Sequence, residues 1–301
     1  MRQTHRTGAG LWLAPILLSL LLAACGTHPK VTLALLGDVN LGRGVVPNPE
    51  SFAYLSPWLD SADLALANLE SPLANDPPSG TVDGYDLCIL GPQTSLLADW
   101  GLDLLAIANN HRDDCGPAGP FETISLLRNA GLSAVGPGPE PVTREIDGLR
   151  LAFLAFDDVS TPLDAGEAVQ AIRAARGAGN LVIVSVHWGM EYQGGPTERQ
   201  RELAGRFAAA GAALVWGHHP HVLQPVAWIG STPVLYSLGN ALFDQAGLAD
   251  TRRSALLLVS LDEDGVTGIQ AVPFEIDLQA SRIAAPEAEE AQTILERLDL
   301  P

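Results

Sequence analysis

Of seven histidines in the chain, His5 and His28 lie near the amino end, and the other five each follow a short apolar run. These are His111, His187, His218, His219 and His221. The densest cluster is Leu214-Val215-Trp216-Gly217-His218-His219-Pro220-His221. Proline disfavours the helical region for the residue before it, so His219 is expected in extended backbone. Alternate residues of an extended segment point the same way, which would aim His219 and His221 at one point. Neutral imidazole is the commonest metal-ligating side chain. Alone, a His-Pro-His could equally be a satisfied surface or core pair. Asp38, Glu70 and Asn110, however, stand in equivalent positions behind other apolar runs. Two carboxylates, an amide oxygen and several imidazoles make a mixed oxygen and nitrogen set, suited to Mn, Fe or Zn rather than to Ca or Mg alone. The set is larger than one tetrahedral zinc needs. Two divalent metals about 3.5–4 Å apart would use it fully.

The elements that must position these residues follow from the apolar pattern. Runs at 31–36, 62–67, 102–108, 180–186, 212–216 and 234–238 are short and end in glycine or polar residues, as buried strands do. Helical spacing lies between them at about 92–100, 117–130, 164–178 and 197–210. This alternation predicts βαβ units and a mostly parallel sheet, with ligands bound beyond the carboxyl ends of the strands. Asp147-Gly148 and the segment 262–265 mark hairpin turns, predicting a second, partly antiparallel sheet packed on the first. Residues 287–298 read as a terminal helix with a mostly solvated face. One domain is expected over 31–279, with 280–301 as a helix or tail.

The first 24 residues pair Arg2, His5 and Arg6 with an apolar run from Leu11 to Leu22, the pattern of a secretory signal. Leu22-Ala23-Ala24-Cys25 resembles a bacterial lipoprotein cleavage site. That resemblance implies lipid on Cys25, a tether over 25–30, and an exported protein anchored to the bacterial membrane without spanning it. Removing Arg2 and Arg6 with the leader leaves 15 basic residues against 35 acidic ones. Such a surface argues against nucleic acid as a partner and requires local positive charge for any anionic substrate. Cys88 and Cys115 could form a disulfide outside the cytoplasm, which would brace the neighbouring His111.

Taken together, Gly37-Asp38-Val39-Asn40-Leu41-Gly42-Arg43, Asn68-Leu69-Glu70, Ala108-Asn109-Asn110-His111 with Asp114 and Gly116, His187-Trp188-Gly189-Met190-Glu191-Tyr192, Gly217-His218-His219-Pro220-His221-Val222-Leu223-Gln224 and Tyr236-Ser237-Leu238-Gly239-Asn240 resemble the CapA family. That family comprises capsule synthesis proteins linked to poly-γ-glutamate, with a calcineurin-like metallophosphoesterase fold. The resemblance spans Val31 to Phe274 and implies an α/β fold, a four-layer αββα sandwich of mixed sheets. It implies Asp38 as a first-metal ligand and Glu70 as the bridging carboxylate, where most metallophosphoesterases use aspartate. Asn110 and His187 resemble second-metal ligands, and His219 and His221 match the closing motif. His218 receives no ligand role. His111 matches the histidine that protonates a leaving group or stabilises charge, Asp114 could orient it, and Arg43 could pair with a substrate anion. Asn40, Asn68, Asn109 and Asn240 are further candidates for metal or substrate contact. One departure stands out. Metallophosphoesterases begin Asp-x-His, whereas here the third residue is Asn40, so the site holds two metals, one, or an unusual pair.

The resemblance implies a metal-dependent, phosphoesterase-like hydrolase acting on an anionic polymer or phosphoester in capsule or envelope metabolism, in a capsule-synthesis complex. Poly-γ-glutamate carries no phosphate, so an amide hydrolase or ligase-coupled role stands beside it. A non-catalytic lipoprotein that binds or helps export the polymer is the reading from another class. The intact Asn110-His111 pair favours the enzyme, and Asn40 favours the accessory protein.

Overall fold

Each predicted apolar run becomes a strand in the computed structural model, which describes residues 30–77 and 86–300. The leader, Cys25 and the tether to residue 29 lie outside the described residues. The first half runs β1 (Val31–Val39), α1 (Ser56–Leu59), β2 (Leu64–Leu69), β3 (Leu73–Ala74), β4 (Ile89–Leu90), α2 (Thr94–Asp99), β5 (Leu104–Ala106), α3 (Gly119–Asn129) and β6 (Ser133–Val135). There follow β7 (Gly138–Ile146), β8 (Leu149–Asp157), α4 (Ala165–Gly177), β9 (Leu181–His187), α5 (Glu198–Ala210), β10 (Ala212–His218), β11 (Leu223–Ile229) and β12 (Thr232–Leu238). The chain closes with β13 (Asn240–Leu242), β14 (Arg253–Asp262), β15 (Gly265–Asp277), β16 (Arg282–Ala284) and α6 (Ala288–Leu298).

The strand–helix units do not share one sheet, nor the two hairpins a second one. One sheet has the order β16-β15-β14-β1-β2-β5-β6, with β13 also paired to β1; the other has the order β11-β12-β10-β9-β8-β7. The first is parallel from β1 through β2 and β5 to β6 and antiparallel from β1 through β14 and β15 to β16; the second has a parallel centre, β12-β10-β9-β8, between antiparallel edges β11 and β7. Packing decides this. A parallel strand must be covered on both faces, and two sheets facing each other cover one face of both. Leu33, Leu35 and Leu66 meet Phe153, Ile183 and Trp216 in the inter-sheet core. The outer face of the first sheet buries Ala34, Leu36 and Leu105 with Leu97 of α2 and Leu127 of α3. That of the second buries Val184 and Val215 under Ile172 of α4 and Leu203 and Phe207 of α5. The result is a four-layer αββα sandwich.

Local signals agree with this frame. Asp147 and Gly148 both have positive φ (48° and 85°), the backbone a tight hairpin turn needs. Thr197 and Gln200 form a reciprocal cap at the start of α5. The terminal segment is more than a tail. Strand β16 extends the first sheet, and α6, otherwise largely solvated, inserts Ile294 and Leu298 into the inter-sheet core.

Glycine is required where strands cross near the site. A Cβ on Gly217 would stand 2.2 Å from Tyr236 O and 2.4 Å from Trp188 Nε1. The indole of Trp188 already donates to that same carbonyl at 2.9 Å. Gly217→Ala is therefore expected to cost about 3 kcal/mol, read as a lowered urea midpoint. A midpoint equal to wild type would show that β10 and β12 can separate freely.

Candidate metal centre

The parallel register carries the polar clusters to one place. Asp38 on β1 lies beside Asn68 on β2 and Asn240 on β13, and His187 on β9 lies between Asp157 on β8 and His218 on β10. Both sheets thus offer their carboxyl ends to the same edge of the sandwich. Trp216 ties the sheets together just below it, its Nε1 donating to Leu36 O at 3.0 Å.

The His-Pro-His segment is not extended. His219 and His221 have φ of 94° and 57°, in the left-handed region uncommon for residues with a side chain. Chain exit explains the departure from the proline rule. Beyond β10 the backbone folds over the strand ends, and Asp38 Oδ2 accepts the His219 N–H at 3.2 Å. The two rings still sit together, centroids 5.9 Å apart. Local strain of this kind persists where surrounding structure holds it, commonly at functional sites.

Asp38, Glu70 and His221 each place one ligand atom within 4.8 Å of the others. Asp38 and Glu70 are wholly buried. Asp38 accepts from Asn68 Nδ2 at 2.8 Å, and His218 Nδ1 and His221 Nδ1 stand 3.4 and 3.3 Å from its oxygens. Burial alone would raise the Asp38 carboxyl, but these two rings hold it well below the usual range. Glu70 differs. Among the described residues neither of its oxygens has a hydrogen-bond partner, and burial pushes it up to about 7 despite His221. A buried carboxylate without a donor is costly, and a divalent cation is the partner that would satisfy it. The donor set therefore fits a divalent metal.

His221 presents both ring nitrogens to the site. Its Nδ1 donates to Asn240 Oδ1 at 2.9 Å, and Nε2 lies 3.5 Å from Glu70 Oε1. Burial disfavours its charged form, yet Glu70 and Asp38 outweigh that and raise it to about 9. Asn240 stands behind the histidine, with Nδ2 spent on Gln245 Oε1 and Thr251 O. A polar group that fixes ring orientation in this way tunes a metal ligand. His187 Nε2 faces Asn110 Oδ1 at 2.7 Å. Burial and the neighbouring His219 hold His187 well below the ordinary histidine value, and burial with His221 lowers His219 to about 4. Both shifts favour the neutral ring, the form that binds a metal.

His111 projects over Glu70, its Nε2 3.8 Å from Glu70 Oε1. Its Nδ1 meets Asp114 Oδ2 at 2.8 Å. Burial would lower His111, but Asp114 and Glu70 raise it above the ordinary value. Asn109 braces this corner: its Nδ2 donates to Leu69 O at 2.9 Å and Asn68 Oδ1 at 3.3 Å, and its Oδ1 accepts the His111 N–H. Cys88 and Cys115 are disulfide-bonded, Cα atoms 5.1 Å apart. Beside them Leu87 N donates to Asp114 Oδ2 at 2.7 Å. Closing a loop with a sequence separation of 27 stabilises by roughly 3–4 kcal/mol in the chain-entropy account. Reduction, or the Cys88→Ser/Cys115→Ser double variant, is expected to lower the thermal midpoint by several degrees. An unchanged midpoint on adding reductant would contradict this.

Two sequence-level candidates are engaged elsewhere. Asn40 Oδ1 accepts from Ser71 Oγ at 2.5 Å and Gly42 N at 2.9 Å, so its amide is built into the β1 exit loop. Arg43 is ion-paired with Asp244 and lies over the Phe243 ring at 5.3 Å. Arg112 is held by Asp157 at 2.9 Å. Both arginines beside the site motifs are thus neutralised by carboxylates, which spacing could not reveal because Asp244, in the loop after β13, and Asp157, at the end of β8, are distant in the chain. A further residue that spacing did not single out is Glu191: one of its oxygens lies within 4.8 Å of ring nitrogens of His219 and His221. Its place in the quoted motif after His187 was the available signal.

The family model described as bacterial capsule synthesis protein PGA_cap matches residues 32–245. The PGA biosynthesis protein CapA of Bacillus subtilis (strain 168) is 30% identical over 289 residues, covering 87% of this chain and 76% of that protein. The capsule biosynthesis protein CapA of Bacillus anthracis is 32% identical over 281 residues, covering 83% and 68%. A probable polyglutamine synthesis accessory protein of Mycobacterium tuberculosis is 24% identical over 352 residues, covering 91% and 92%. Among solved structures, a hypothetical protein from Thermus thermophilus superposes with a TM-score of 0.54 at 17% identity, covering 81% of this chain and 99% of that one. The 5′-nucleotidase from Candida albicans SC5314 does so with 0.50 at 12% identity, covering 90% and 57%. These two likenesses concern the fold, which is of the metallophosphatase type. By the family match and the two CapA relatives, the chain belongs to the bacterial capsule synthesis family PGA_cap.

Proposed function

We propose that this protein is a metal-dependent hydrolase of the phosphoesterase type, exported and lipid-anchored through Cys25, acting in capsule or cell-envelope polymer metabolism beside a polymer synthesis system. The observation that carries the reading is Glu70, fully buried with both oxygens lacking partners among the described residues, between His111 and His221. Asp38, Glu70 and His221 would hold one cation, and Asn110, His187 and His219 would serve a second. A bound divalent cation supplies Lewis acidity toward a substrate oxygen and activation of water. The protein supplies the rest. Asp114 accepts the Nδ1–H of His111 and leaves Nε2 toward the site. There a proton can be given to a departing oxygen or nitrogen. Asn109 and the Cys88–Cys115 bridge hold that loop in place.

A second reading keeps the fold and binds polymer without turnover. The engagement of Asn40 by Ser71 and Gly42 favours it, since the imidazole of Asp-x-His has no replacement at that position. One experiment separates the two. The purified mature protein is reconstituted with Mn, Fe or Zn, its metal content is measured, and turnover is assayed on phosphomonoesters, phosphodiesters and poly-γ-glutamate. Absence of bound metal would sink the hydrolase reading, and bound metal with no turnover of any substrate would favour the accessory one. The anchor is tested by lipid labelling of wild type against Cys25→Ala, where equal labelling would remove it.

A further inference from the structure

We propose that Glu191 is a metal ligand, completing with His219 and His221 a cation position on the solvent side of the buried Asp38–Glu70 pair; this rests on the metal-site reading above. Three ligand atoms, one each from Glu191, His219 and His221, lie within 4.8 Å of one another, as do those of Asp38, Glu70 and His221. His221 belongs to both groups. The sets thus mark two adjoining positions, one sealed and one reached from solvent, since Glu191 is exposed while Asp38 and Glu70 are not; with Nδ1 donating to Asn240, the Nε2 lone pair of His221 serves one of them at a time.

An exposed carboxylate alone would say little. One observation points to a ligand here, and a second fixes the carboxylate beside it. His219 is 6% exposed, and its Nδ1 has no hydrogen-bond partner among the described residues. An unpartnered buried nitrogen beside a carboxylate calls for a cation or a donor. The loop bearing Glu191 is also fastened to the histidine loop on both sides. Trp188 N donates to His218 O at 3.1 Å, and Tyr192 N donates to Pro220 O at 2.9 Å. Gly189, at φ 87°, packs where a Cβ would meet Gln200 Oε1 at 2.6 Å, holding the turn close to α5. The carboxylate is thus carried on backbone that cannot move independently of His219 and His221.

The chemistry explains why such a donor matters in this chain. Asn40 stands where the fold's usual histidine would be, and its Oδ1 is taken by Ser71 and Gly42. A carboxylate from the opposite side adds an anionic oxygen to a set otherwise short of one donor. Oxygen with imidazole suits Mn, Fe or Zn. The negative charge of Glu191 also favours retention of a divalent ion where the nearby arginines are paired with Asp244 and Asp157.

The test measures Mn binding to the mature protein by equilibrium dialysis with elemental analysis and by titration calorimetry. Wild type is compared with Glu191→Gln, with Glu191→Asp, and with Glu198→Gln as an exposed control at the start of α5. Loss of orienting partners alone weakens metal affinity about 10–100-fold, so Glu191→Gln is expected to weaken one Mn step at least about tenfold or remove one equivalent. Glu191→Asp should restore part of it, and Glu198→Gln should match wild type. Circular dichroism checks that the variants fold. Mn binding by Glu191→Gln identical to wild type in number and affinity would overturn this inference and leave the Asp38–Glu70 site standing. Absence of Mn, Fe and Zn binding in wild type would overturn both.

Discussion

Glu70→Gln is expected to abolish divalent-metal binding and, at the same time, to raise the stability of the metal-free protein. The two effects have one origin. Glu70 is fully buried with no donor on either oxygen among the described residues, and burial, with Asp38 adding like charge and His221 opposing, raises it from 4.5 to about 7. An acid with a raised value in the folded state costs stability only where it must ionise. The cost is absent below pH 4.5, grows between 4.5 and about 7, and is complete above that. At about 1.4 kcal/mol per unit the full cost is on the order of 3 kcal/mol. Removing the charge should therefore raise the apo thermal midpoint at pH 8 by roughly 5–10 °C, with no gain at pH 4. Mn affinity should fall by about 100-fold, because glutamine removes one of the two buried carboxylates of the Asp38, Glu70 and His221 set. Thermal melts in chelator at the two pH values, with calorimetric Mn titration, measure both halves. A variant less stable than wild type at pH 8 that still binds Mn would make Glu70 a structural residue.

The second large effect is expected at His111. If it delivers the leaving-group proton, His111→Ala should lower kcat about 10²–10⁴-fold. The loss should be larger for alkyl phosphoesters than for p-nitrophenyl esters, whose leaving group needs little protonation. Metal content should hardly change, since Asp38, Glu70 and His221 form their own close set. The fold should survive, because His111 sits in a partly exposed turn, its side chain 19% accessible. Asp114→Asn should show a milder form of the same dependence, as its oxygen also anchors Leu87 N. An equal rate in His111→Ala on every hydrolysed ester would remove this residue from the chemistry. A loss independent of leaving group would restrict it to charge stabilisation or positioning.

Much of this was readable along the chain, and the reason is positional. In an α/β protein each strand ends where its apolar run ends, so Asp38, Asn68, Glu70, Asn110, His187 and His221 could all be assigned to one edge before any coordinates. The helices α4 and α5 were equally legible, since their spacing, caps and neighbouring strands agree. Local rules failed at the His-Pro-His turn. Proline bias favours extended backbone at His219, but the observed left-handed φ is imposed by the chain's exit from β10 and by the Asp38 carboxylate it meets. Sheet membership failed for a related reason. Nothing within β14 or β15 states that they flank β1 instead of forming a sheet of their own. That choice minimises exposed apolar face over the whole sandwich.

Residue type and strand-end position were sufficient to gather the donors at one edge: buried carboxylates and imidazoles of a kind that suits a divalent metal, with His111 beside them. Only the tertiary structure decided which donors are free to act. Asn40 and Arg43 look available in the sequence but are already bonded, to Ser71 and Gly42 and to Asp244 respectively. Glu191 and Glu70 carry the opposite lesson, for their oxygens are directed at the site by contacts arising in separate elements. Hydrogen-bond capacity is spent locally in space, not along the chain, so the partners that consume or spare a donor become visible only when both sheets are folded against each other.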